Sequence, residues 1–137
     1  MKREHLQALV KTRVEQAAET LRDAEALREA DGSARSVINR AYYAMFYATL
    51  ALLQTLGEVP SKHTGVIALF DLHFFKTGRF SKEDSQALHE LFDLRQFSDY
   101  RSMSPVSTEQ ALDALSKAQR FVTNAEQWLR ANDFLSV

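Results

Sequence analysis

Apolar residues recur at helical spacing along nearly the whole chain, and the pattern predicts five helices. Leu6, Val10, Val14, Ala17, Leu21 and Ala24 mark one face of a first helix over about 4–30, with charged residues opposite them. Asp31-Gly32-Ser33 breaks it, and Ser33 is placed to cap a second helix that ends near Gly57. Pro60-Ser61 opens a third, with Val66, Ile67, Phe70 and Phe74 on one side and Gly78 as its stop. Ser81-Lys82-Glu83-Asp84 has the form of a capping signal for a fourth, which turns Leu88, Leu91, Phe92 and Arg95 towards one face. After a loop at Met103-Ser104-Pro105, Ser107-Thr108-Glu109-Gln110 fits a capping box. It leads into a stripe of Ala111, Leu115, Ala118, Val122, Ala125 and Leu129. No strand-like alternation competes with this pattern. The expected fold is all-α, an antiparallel bundle of four to five helices formed as a single domain over residues 1–137.

The second helix differs from the rest. From Ile38 to Leu53 it is nearly apolar all round, as a helix at the centre of a bundle is. Yet it carries Asn39, Arg40, Tyr42, Tyr43 and Tyr47. Burying phenol hydroxyls and a guanidinium costs free energy unless each finds a partner. A site is therefore expected around Arg40, Tyr42, Tyr43 and Tyr47, with Asp93 or Asp99 as the carboxylate facing Arg40.

Composition narrows the chemistry. The 137 residues include 26% charged residues but a net charge of only −1, so any contact with nucleic acid has to come from a local patch. There is no cysteine, which excludes disulfides and thiolate metal sites. His73 and His89 lack partners at ligand spacing, so no metal or other cofactor is expected. The N-terminal Met1-Lys2-Arg3-Glu4-His5 leads into a charged amphipathic segment, and the run around Leu50 is too polar at its start to span a bilayer. A soluble, cytoplasmic protein without membrane contact is expected.

Three separated motifs occur in order: Arg40-Ala41-Tyr42-Tyr43-Ala44-Met45-Phe46, Lys62-His63-Thr64-Gly65-Val66-Ile67, and Leu94-Arg95-Gln96-Phe97-Ser98-Asp99-Tyr100. Together they resemble the HEPN domain, over roughly residues 33–129. The resemblance implies a bundle that forms a homodimer with a cleft between protomers. It also implies pairing with a minimal nucleotidyltransferase, often as toxin and antitoxin. In the family's nuclease branch an arginine and a following histidine are separated by four intervening residues, and RNA is cleaved without metal. Arg95 falls at the arginine, but Tyr100 stands where the histidine is expected and no histidine follows.

That departure changes the chemistry. Histidine titrates near neutrality and suits proton transfer, whereas an unperturbed tyrosine, with a pKa of about 10, is a poor base. Arg95 remains suited to clamping a phosphate, and Asp99 accepts a proton only if its pKa is raised. The candidate catalytic residues are Arg95, Asp99 and Tyr100; the candidate nucleotide- or RNA-binding residues are Arg40, Tyr43 and His63. The resemblance also implies a motif tyrosine to which the partner enzyme attaches a nucleotide, and Tyr100 is the candidate although it occupies the histidine position. Five residues turn Tyr100 about 140° from Arg95 on an ideal helix. Both therefore face one cleft only if the helix ends near Ser98, or if each protomer contributes one of them. The plain alternatives are an Arg95–Asp99 ion pair one turn apart, aromatic packing by Tyr42, Tyr43, Phe46 and Tyr47, and a hydrogen bond at a helix start for His63. The expected function is a nucleotide- or RNA-binding partner of a nucleotidyltransferase, with a metal-independent endoribonuclease and a non-catalytic interaction protein as alternatives.

Overall fold

The computed structural model describes residues 2–57, 59–100 and 106–136, and the side chains of residues 97–100 lie outside that description. Five helices follow in order: α1 (Arg3–Glu29), α2 (Ala34–Gln54), α3 (His63–Phe70), α4 (Lys82–Tyr100) and α5 (Thr108–Ala131). The described residues contain no strand. The fold is an all-α helical bundle.

The helix starts are chemically explicit. The Ser33 hydroxyl accepts from the Ser36 N–H at 3.1 Å, and the Ser81 hydroxyl from the Asp84 N–H at 3.2 Å. Asp84 returns the contact by accepting from the Ser81 N–H and hydroxyl at 3.3 and 3.0 Å. Ser107 and Gln110 form the full reciprocal box, at 3.0 and 2.8 Å. Gly57 and Gly78 stop α2 and the segment after α3 in the left-handed region, both at φ 79°. At the first break it is Asp31, not glycine, that takes this conformation, at φ 56°.

α2 is the central helix and packs against each of the other four. It is buried on nearly every side from Val37 to Leu53, and its buried Thr49 hydroxyl is satisfied by the Met45 carbonyl at 2.8 Å. The stripe read on α5 is buried throughout, as are Val10, Val14, Ala17 and Ala24 of α1. Arg3 and Gln7 both donate to the Asp133 carbonyl, at 2.8 and 2.9 Å, tying the start of α1 to the chain after α5.

One departure from the sequence pattern is local. The third helix does not remain α-helical to its end but passes into a π-helical turn at Asp71–Phe75, closed by the Lys76 N–H on the Asp71 carbonyl at 2.8 Å. Asp71 accepts there from the Ser85 hydroxyl at 2.7 Å and meets His89 Nε2 at 2.6 Å. His89 thus gains an acidic partner from the turn after α3, 18 residues away in the sequence. No described helix is long and apolar enough to cross a membrane.

Candidate functional site

The site grows from the aromatic turn of α2. Tyr42 and Tyr43 are consecutive and their rings meet edge to face, with centroids 5.3 Å apart. Tyr42 is fully buried. Its hydroxyl lies 2.8 Å from Nδ1 of His63, the first residue of α3. Burial, with a smaller contribution from the neighbouring Tyr43, pushes the Tyr42 phenol far above its ordinary value, and Arg95 only partly offsets this. Tyr42 therefore keeps its proton at any physiological pH, and in the tautomer that accepts this proton at Nδ1 the neutral imidazole carries its own hydrogen on Nε2. His63 stacks on Phe46 with centroids 4.0 Å apart and planes 19° apart.

Burial, and then the charge of Arg95, lower the pKa of His63. The sign for stability follows directly. The unfolded chain takes up this proton near pH 6.5, before the folded chain does, so stability falls as pH drops through that value and the loss stops below the folded pKa. Thermal melts from pH 7.5 to 5 should therefore show a steeper loss for the native chain than for His63→Gln. Equal slopes would mean that His63 titrates as in the unfolded chain.

Arg95, on α4, closes the cluster. It donates to the Tyr43 hydroxyl at 3.0 Å, and its guanidinium carbon lies 5.3 Å from the Tyr43 centroid and 5.9 Å from that of Tyr42. Arg40 approaches the same Tyr43 ring at 5.2 Å. Two cations thus share one aromatic ring.

Of the two carboxylates expected opposite Arg40, Asp93 does not meet it, and the side chain of Asp99 lies outside the described residues. Arg40 donates from Nε and a terminal nitrogen to the Asn39 side-chain carbonyl, at 3.2 and 2.9 Å. Among the described residues no carboxylate pairs with it. Asp93 instead faces a groove between α4 and α5 with Glu90 and Asp113. The physical reason is partial exposure: Arg40 is only half-buried, so water and a neutral amide suffice and no compensating charge is required.

Of the binding residues read from the sequence, Arg40, Tyr43 and His63 come together with Arg95, across three helices. The side chains of Asp99 and Tyr100 lie outside the described residues. The α4 backbone stays helical through Tyr100, so there is no helix end at Ser98. The sequence reading took Tyr42 chiefly as packing and missed it as the partner of His63. A separation of 21 residues between them carries no periodic signal.

A family model described as the HEPN domain matches residues 10–128. The chain belongs to the HEPN family. Relatives of this HEPN chain include two Methanocaldococcus jannaschii proteins, each named as a putative toxin. One is 34% identical over 128 residues, covering 93% of this chain and 91% of the relative. The other is 33% identical over 98 residues, covering 72% and 67%. A Thermotoga maritima protein named UPF0332 protein is 38% identical over 92 residues, or 67% of this chain and 70% of its own length.

The matched HEPN region contains every site residue described above. In this HEPN chain the four histidines stand at 5, 63, 73 and 89, so none follows Arg95. The imidazole that meets the arginine's aromatic platform instead comes from α3. Among the described residues no group of three or more His, Asp or Glu is arranged to hold a metal ion.

Proposed function

We propose that this chain is a toxin-like HEPN protein that binds nucleotide or RNA through the Arg95–Tyr43–His63 cluster and acts with a minimal nucleotidyltransferase. The observation that carries the reading is the convergence of Arg95 and Arg40 on the Tyr43 ring beside a neutral imidazole. Guanidinium groups supply charge and fork geometry for phosphate, and aromatic faces accept bases without regard to sequence. His63, with Nδ1 engaged by Tyr42, offers Nε2–H as a donor to a ligand oxygen. The word toxin in the names of two relatives supports a toxin–antitoxin-like role. A homodimer is part of the proposal, since a two-fold axis beside α4 would let one protomer supply Arg95 and its partner Tyr100.

In the paired reaction the Tyr100 phenol oxygen attacks the α-phosphorus of ATP. An O–P bond forms, the bond to the β-phosphate bridging oxygen breaks, and pyrophosphate and the phenol proton leave. Mass spectrometry after incubation with the cognate nucleotidyltransferase and ATP should find the nucleotidyl group on the peptide containing Tyr100. An adduct elsewhere, or none with a demonstrably active partner, contradicts the assignment.

The presence of His63 beside Arg95 favours a second reading, a metal-independent endoribonuclease using Arg95 with His63, Asp99 or Tyr100. The Tyr42 contact weighs against it. An imidazole whose Nδ1 accepts a proton presents a donor rather than a base at Nε2, and a lowered pKa leaves little imidazolium near neutrality to serve as an acid.

A further inference from the structure

A second cationic feature lies one step along α2 from the site. Arg35 and Arg40 line a groove of about 360 Å³ together with Leu27, Ser36 and Asn39. Arg35 sits in the first turn of α2, where the helix dipole is positive and an acidic side chain would be favourable. No acidic residue occupies that turn, and the whole of α2 has arginines but no aspartate or glutamate. Among the described residues Arg35 forms no ion pair, and its Nε is buried without a hydrogen-bond partner. A guanidinium held against the positive end of a helix, unpaired and partly dehydrated, is costly for the protein alone. An anion in the groove offsets the unpaired charge and the unfavourable position at the helix end together.

We infer that Arg35 binds a second phosphate of a single-stranded polynucleotide whose neighbouring phosphate lies on Arg40 and Arg95. The inference rests on the proposed function and sharpens it: the ligand is a polynucleotide, not a mononucleotide. Continuity supports this, because Arg40 lines the groove of Arg35 and also approaches the Tyr43 ring that Arg95 touches. Arg35 and Arg40 are five residues apart, a rise of about 7.5 Å and a turn of about 140°, yet both line one groove, and this separation suits two successive phosphates better than one.

The test is titration of a labelled single-stranded RNA 12-mer by fluorescence anisotropy between 50 and 200 mM salt, with ATP binding measured in parallel. Arg35→Gln should lower the slope of log affinity against log salt by about 0.7, the value for one phosphate contact on a single strand, and leave ATP binding unchanged. Arg35→Lys should restore the slope, because the charge is retained. An unchanged slope in Arg35→Gln overturns the inference, and so does an equal loss of ATP binding, which would show a structural role. If the native chain binds neither RNA nor ATP, the proposed function itself fails, and this outcome is distinct from the other two.

Discussion

Replacing Tyr42 with alanine is expected to destabilise the protein by about 3–5 kcal/mol, the range for deleting a fully buried aromatic ring. Tyr42 is wholly inaccessible, and its ring meets those of Tyr43, Phe46, His63 and Phe92 with centroids 5.3 to 6.0 Å apart. Its loss opens a cavity among rigid rings drawn from three helices. It also leaves His63 Nδ1 without its partner and removes one of the two faces under Arg95. Tyr42→Phe separates these effects. The ring stays and only the hydroxyl goes, so the cost should fall to about 1 kcal/mol, that of one hydrogen bond with a half-buried partner. Urea unfolding should place the alanine variant's midpoint far below the phenylalanine variant's, with similar denaturant slopes. A Tyr42→Ala midpoint close to that of the native chain would mean that the α2–α3–α4 cluster does not support the fold.

The bundle was legible because its signals are local. Ser33, Ser81 and Ser107 each cap the helix they precede, and the all-round apolarity of α2 correctly placed it at the centre. The π-helical turn was not legible. Val66, Ile67, Phe70 and Phe74 fall on one side under either helical winding, so the pattern cannot register a single widened turn. Within the site, residue type singled out Arg40, Tyr43 and His63 for binding and Arg95 for catalysis, and the fold brings these four side chains together. Their pairings were hidden, because Tyr42 meets His63 across 21 residues and Arg95 meets Tyr43 across 52. Asp93, one of the two carboxylates expected for Arg40, lies elsewhere for another reason. A fully dehydrated guanidinium would require a carboxylate, whereas the turn of α2 leaves Arg40 half-exposed beside a neutral amide. Arg35 drew no notice in the sequence, since an isolated arginine near a helix start resembles any solvated charge until its surroundings are known.

Arg95→Gln carries the largest expected effect on binding. A charge-assisted hydrogen bond to phosphate contributes about 1.5–3 kcal/mol, so removing the guanidinium should weaken RNA or nucleotide affinity by about ten- to a hundredfold. Glutamine cannot restore the fork that a phosphate engages, and Arg95→Lys should recover only part of the affinity. The stability cost should be smaller, because Tyr42, Tyr43 and Phe46 retain their mutual packing. The most direct measurement is calorimetric titration of the RNA 12-mer and of ATP into the native chain, Arg95→Gln and Arg95→Lys, each first shown by melting to be folded. The account predicts binding by the native chain, loss by at least about tenfold in Arg95→Gln, and an intermediate value for Arg95→Lys. Equal affinity in all three would contradict it.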